Sequence, residues 1–226
     1  MSSVVDVSAI RAVIFDLDGT LIDSLADIAN SANAVLESMT FPTHAIDDYR
    51  MFIGDGVGML FSRALPVEHR KEEVIGQCVA QMRVEYGNRW NVDTAPYAGM
   101  LELLSDLRQR GVRLGILSNK PQLFSQKCAD AFFPQGTFDL VFGQREGVPR
   151  KPDPAAALEI ASTFAIPPRE CAFVGDSSID IETACRAGML PIGVQWGFRS
   201  AEELRSAGAH RILAHPSELM HCLAES

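Results

Sequence analysis

From Gly99 onward the apolar positions of the chain change their period at regular intervals. "MLELLSDLRQR" (100 to 110) has the spacing of an amphipathic helix, and Gly111 follows it as a stop signal. "VRLGIL" (112 to 117) is a continuous apolar run of the length of a buried strand. The alternation goes on: a helix over 122 to 133, a strand at "FDLVF" (138 to 142), a helix over 154 to 165, and a strand at "CAFVG" (171 to 175). A helix over 178 to 187, stopped by Gly188, precedes a strand at "PIGVQ" (191 to 195), a helix over 200 to 207 and a short strand at 211 to 213. Near the start, Ala12-Val13-Ile14-Phe15 is a further buried-strand run. Strands alternating with helices of this length predict an α/β fold, a Rossmann-like parallel sheet covered on both faces.

The stretch from about 20 to 95 breaks that rhythm. Residues 24 to 39 place Leu25, Ile28, Ala29, Ala32, Val35, Leu36 and Met39 on one helix face, and "VIGQCVAQM" (74 to 82) lies in a second helical stretch. No strand is apparent between them, so the pattern predicts an all-helical insert after the first strand. The expected division is a discontinuous core, 1–19 and 93–226, around an inserted unit, 20–92.

Composition narrows the function classes. A 226-residue chain with 47% hydrophobic and 22% charged residues has the profile of a soluble globular protein. A formal net charge of −9 argues against nucleic acid or an anionic membrane as the main partner. "MSSVVDVSAI" lacks the layout of a signal peptide, and no apolar stretch approaches the roughly 18 to 20 residues of a membrane span. The five cysteines are scattered without C-x-x-C spacing, and the histidines lack H-x-x-x-H spacing. Reduced thiols in a cytoplasmic protein without a zinc site are expected.

In an open parallel sheet, ligands sit beyond the carboxyl ends of the strands. Asp16 and Asp18 follow the first strand; Ser118, Asn119 and Lys120 follow "VRLGIL"; Asp176, Ser177 and Asp180 follow "CAFVG". Lys151 stands in "RKPDP", just ahead of a helix. Acids, a hydroxyl and a lysine thus converge on one end of the sheet. Clustered carboxylates require a cation, and hard oxygen ligands suit Mg²⁺ completed by water and phosphate oxygens. A carboxylate can attack phosphorus, a metal and a lysine can spread the transferring charge, and a neighbouring acid can move protons.

The same residues carry a family resemblance. "FDLDGTLIDS", "SNKP", "KPDP" and "VGDSSIDIETACRAG" resemble, in order, the four motifs of the haloacid dehalogenase-like hydrolases. Through "FGQREGVPRKPDP" and "GVQWGF" the chain is similar to their phosphoglycolate phosphatase branch, whose helical cap occupies the place of the insert. The resemblance implies Asp16 as nucleophile and metal ligand, and Asp18 as acid/base that binds the metal through its backbone carbonyl. It implies Ser118 and the Asn119 amide on the phosphoryl oxygens, Lys151 neutralising them, Asp176 as a further metal ligand, and Asp180 behind it. The implied cofactor is Mg²⁺ and the implied substrate a small phosphorylated metabolite, 2-phosphoglycolate first, handled by a monomer or homodimer.

Several readings stay open in the sequence. Asp180 also suits a helix start, and Lys120 suits either the site mouth or solvent. "GDGVGMLFSRAL" (54 to 65) is either an ordinary turn or a loop whose amides, with Arg63, meet an anionic substrate. Trp196 and Phe198 suit packing better than substrate contact. A phosphomutase of the β-phosphoglucomutase kind, or a phosphatase of sugar phosphates or pyrophosphate, would use the same core. A receiver-like phospho-acceptor module would share the acid, metal and lysine but not the second acid beside the nucleophile.

Overall fold

Four consecutive apolar residues with no exposed surface begin the sheet. In the computed structural model, which describes residues 9–223, Ala12–Phe15 forms strand β1. Ala12 and Ile14 pack into one core cluster and Val13 and Phe15 into the other, as the two-residue period of a strand requires. The chain then forms β2 (Ile22–Asp23), α1 (Leu25–Ser38), α2 (Tyr49–Phe52), α3 (Val57–Ala64), α4 (Glu72–Arg89) and β3 (Ala95–Pro96). From there it alternates: α5 (Met100–Gln109), β4 (Arg113–Pro121), α6 (Gln122–Phe132), β5 (Leu140–Gln144), α7 (Ala155–Phe164) and β6 (Cys171–Gly175). It ends with α8 (Ser178–Ala187), β7 (Leu190–Val194), α9 (Ala201–Ser206), β8 (Arg211–Leu213) and α10 (Glu218–Cys222).

Six strands form one parallel sheet in the order β5-β4-β1-β6-β7-β8. One face packs under α5 through Leu103, Leu104 and Leu107, and the other under α7 and α8 through Ile160, Ala161 and Ala184. This is the α/β, Rossmann-like architecture the alternation predicts. Helices α5 and α8 give way at Gly111 and Gly188, which have φ of 77° and 69°. Deleting a side chain such as Phe15 from this interior would cost about 3–5 kcal/mol.

The helices α1 to α4 share a separate apolar cluster that includes Leu36, Tyr49, Phe61 and Cys78. Phe124 and Phe198 of the core join it, so the insert rests on the core through packed side chains. Between α1 and α4 the insert has no strand among the described residues, as expected; β2 and β3 pair antiparallel where the chain enters and leaves it. Two-residue strands such as these leave no periodicity in a sequence. Asp27 of α1 closes the same junction. Its buried carboxylate accepts hydrogen bonds from the Val92, Asp93 and Thr94 amides and from the Thr94 hydroxyl at 2.6–3.1 Å.

Among the described residues no helix is long and apolar enough to cross a membrane. Most of "MSSVVDVSAI", including the segment tested for a signal sequence, lies outside the described residues.

Candidate active site

The chain leaves β1 for β4 and β5 on one side and then crosses to β6, β7 and β8 on the other. That reversal opens a crevice at the carboxyl ends of β1, β4 and β6. Asp16 directly follows β1, its amide bonded to the Val174 carbonyl of β6 at 2.9 Å. Asp176 directly follows β6, and Asp180 lies in the first turn of α8. Each of the three is buried and offers a carboxylate oxygen, and these oxygens all lie within 4.8 Å of one another. Glycines permit the crowding: a Cβ on Gly175 would overlap the Asp180 carboxyl, and one on Gly19, at φ +84°, would overlap that of Asp176.

One lysine faces these three acids. Lys151 Nζ lies 2.8 Å from Asp16 Oδ1 and 2.6 Å from Asp180 Oδ1. The ammonium donates to Asp180 Oδ1 and forms an ion pair with Asp16 Oδ1, so one cation is shared between two carboxylates. Burial pushes the Asp16 carboxyl up to about 7, with Asp180 and Asp18 adding to the rise and Lys151 opposing it. Burial, then Asp180 and Asp16, holds Asp176 well above the usual carboxylate range. Burial works against the Lys151 charge, but Asp16 and Asp180 outweigh it and raise its pKa. Three buried carboxylates against one ammonium are a donor set suited to a hard divalent cation. Asp180 is tied more tightly than its neighbours. Its Oδ2 accepts from the Ser177 amide at 3.1 Å and the Ser177 hydroxyl at 2.6 Å, so it both caps α8 and fixes Lys151. The two readings of Asp180 are therefore compatible.

The Asp18 carboxylate lines the same cavity but is not one of this trio. Its Oδ1 accepts from Ser24 Oγ at 2.5 Å and Lys120 Nζ at 2.6 Å. Lys120 is buried, so the solvent-facing reading of this residue fails. Ser118 is buried at the end of β4, where its Oγ accepts from the Lys120 amide at 3.3 Å. The Asn119 side chain braces the backbone of residue 151 with bonds of 2.9 and 3.1 Å, and reaches the insert at the Gly54 carbonyl, 3.0 Å away.

A cavity of about 500 Å³ opens over these groups, between the strand ends and the insert. Its insert wall is largely apolar, with Ile28, Val57, Leu60, Val79 and Met82. Arg63 does not line it. The Arg63 guanidinium instead pairs with Asp55 and donates to the Phe52 carbonyl at 3.0 Å. Helix α3 carries it toward its own preceding loop, a direction that residue type and spacing do not reveal. The arginines of the lining are Arg83 and Arg199. Arg199 donates to the Ile53 carbonyl at 2.8 Å and keeps Nη1 buried without a partner. Phe198 lines the cavity too, and its amide donates to Asp176 Oδ2 at 2.7 Å; Trp196 packs against the core and donates to the Thr20 carbonyl at 3.0 Å. Tyr86, the Asn119 brace and Arg199 went unread in the sequence. Tyr86 left a faint signal there: it continues the buried stripe of Cys78 and Met82 along α4.

Residues 13–194 match the family described as haloacid dehalogenase-like hydrolase. A curated relative from Aquifex aeolicus named phosphoglycolate phosphatase is 32% identical over 93% of this chain and 95% of its own. Another of that name, from Pseudomonas putida, is 32% identical over 83% of this chain and 70% of its own. A solved structure from Lactobacillus delbrueckii subsp. bulgaricus, whose assignment as a phosphoglycolate phosphatase is itself provisional, superposes with a TM-score of 0.89. It is 31% identical and covers 94% of this chain and 98% of its own.

Proposed function

The chain belongs to the haloacid dehalogenase-like hydrolases and is a phosphatase; on that premise we propose that it is Mg²⁺-dependent and hydrolyses a small phosphomonoester through an aspartyl-phosphate on Asp16. The observation that carries this reading is the buried trio Asp16, Asp176 and Asp180, three carboxylates against the single ammonium of Lys151. Asp16, the backbone carbonyl of Asp18 and Asp176 would hold the cation, with Asp180 behind them. The bound cation supplies positive charge to the phosphoryl oxygens.

The protein groups divide the remaining work. A carboxylate oxygen of Asp16 attacks phosphorus, the P–O bond to the alcohol breaks, and Asp18 gives its proton to the departing oxygen. Asp18 then takes a proton from water as that water attacks the phosphoryl group, which releases phosphate and regenerates Asp16. Lys151, the Ser118 hydroxyl and the Asn119 amide neutralise and orient the phosphoryl oxygens. The helical unit, residues 20–92, acts as a cap that closes over the site and excludes water.

Two relatives 32% identical to this chain carry the name phosphoglycolate phosphatase, which makes 2-phosphoglycolate the first substrate to test. Arg83 and Arg199, the arginines lining the cavity, replace Arg63 as candidate partners for its carboxylate. Phosphate release should be measured over a panel of 2-phosphoglycolate, hexose phosphates, pyrophosphate and p-nitrophenyl phosphate, with Mg²⁺ and with EDTA. Release with Mg²⁺ that EDTA abolishes is expected. A tenfold preference for a hexose phosphate or pyrophosphate would overturn the substrate and leave the chemistry standing, and full activity with EDTA would overturn the chemistry.

A further inference from the structure

The buried ammonium of Lys120 sits between two side chains from different parts of the chain. It donates to Asp18 Oδ1 at 2.6 Å and to the Tyr86 hydroxyl at 2.7 Å, and lies 4.8 Å from the Tyr86 ring centroid. Asp18 belongs to the loop after β1, Lys120 to the last part of β4, and Tyr86 to α4 of the insert. The Lys120 and Asp18 side chains are only 4% and 11% exposed. A buried ion pair is a poor device for stability alone, because desolvating both charges offsets most of their attraction.

The bonding pattern of Asp18 is also asymmetric. Among the described residues, the hydrogen bonds from Ser24 and Lys120 both fall on Oδ1. The carboxylate is anchored by one oxygen, and no hydrogen bond among the described residues falls on the other, Oδ2. Ser24 lies next to the entry strand of the insert and Tyr86 within the insert itself, so the anchoring of Asp18 depends on where the insert sits. We propose that Lys120 and Tyr86 are positioning residues that set the Asp18 carboxylate for proton transfer when the helical insert is seated on the core. This inference rests on the reading of Asp18 as the acid/base. Lys120 carries the position of the insert to Asp18: with Tyr86 withdrawn, the ammonium loses its second partner and the carboxylate its fixed orientation.

The test is a double-mutant cycle on the full chain with Mg²⁺. Lys120→Met and Tyr86→Phe are compared in the wild-type and Asp18→Asn backgrounds, reading phosphate release from 2-phosphoglycolate and p-nitrophenyl phosphate under single-turnover conditions. Misplacing a reacting group by an ångström costs on the order of 10²-fold, so Lys120→Met should lower the rate constant about 30-fold or more. Tyr86→Phe, which loses one hydrogen bond, should lower it about fivefold. Substrate affinity should stay within about threefold in both, and neither change should cost more than about twofold further once Asp18 is Asn, since nothing is left to position. Tyr86→Phe keeps its ring in place, so it decides the matter if Lys120→Met melts early. Losses that multiply undiminished in the Asp18→Asn background, or a Lys120→Met enzyme at the wild-type rate, would overturn the inference while leaving Asp18 its role. An Asp18→Asn enzyme at the wild-type rate would remove the acid/base reading and this inference with it.

Discussion

The strand ends of the core and the inner face of the helical insert border the same cavity but place their side chains by different means. At the core, Asp16 and Asp176 each follow the last residue of a strand, and Lys151 and Asp180 flank α7 and open α8. Backbone topology alone delivers them to one crevice. On the insert, position depends on the reach and direction of single side chains. Tyr86 extends from α4 to an ammonium of the core, whereas Arg63, which looks equally available in the sequence, folds back onto Asp55 and the Phe52 carbonyl. The electrostatics differ in the same way. The core concentrates three buried acids, while the insert wall of the cavity is mostly apolar. On this reading the core holds the chemistry and the insert governs access and shape.

That contrast breaks most visibly at the nucleophile. Asp16→Asn keeps the size of the side chain but removes the attacking charge and a metal ligand, and phosphatase activity should fall by about 10³-fold or more. A variant keeping a tenth of the activity would show that the chemistry does not depend on this strand end.

A smaller effect is expected in the stability of the metal-free protein. Asp16 moves from an ordinary 3.8 to about 7 on folding, so the folded state binds its proton more tightly than the unfolded chain does. The stability this contributes is fully present below the ordinary carboxylate range and lost as pH rises through about 7; Asp176 shifts in the same direction. The melting temperature without metal should therefore fall between about pH 5 and pH 8 through these groups. Mg²⁺ at about 100 times its Kd should restore roughly 2.7 kcal/mol, or about 5 to 10 °C. Melting curves with and without Mg²⁺ across that range check both halves. A rise with pH in the metal-free protein, or no response to Mg²⁺ at pH 8, would contradict the assignment of the trio.

The smallest effect belongs to the insert. Arg63→Ala removes a partly exposed ion pair and one carbonyl partner, a loss of about 1 kcal/mol. kcat/KM should change by less than about twofold, and equally for 2-phosphoglycolate and p-nitrophenyl phosphate. A selective loss on 2-phosphoglycolate would restore Arg63 to the substrate and weaken the contrast between the two regions.

The difference in placement explains what could be read from the chain. Period changes from Gly99 onward located helices and strands to within a few residues, because burial on both faces forces continuous apolar runs. The acids stood out for a related reason: a carboxylate at the end of a buried strand requires a partner. Pairings such as Ile22 with Pro96 are too short to leave a period. Tyr86 was hidden because a tyrosine on a buried helical stripe has the pattern of ordinary packing. Lys120 and Arg63 could not be told apart, since a cation's direction depends on the fold around it.

The central claim is that Asp16 carries the phosphoryl group. Asp18→Asn should slow hydrolysis of the intermediate more than its formation from an activated ester. This variant is mixed with Mg²⁺ and p-nitrophenyl phosphate, quenched in acid and cleaved, and its peptides are weighed. A phosphoryl group on the peptide containing Asp16, absent when Asp16 is also Asn, is the predicted result. Phosphate released while Asp16 stays unmodified, or a phosphoryl group found on another residue, would contradict it.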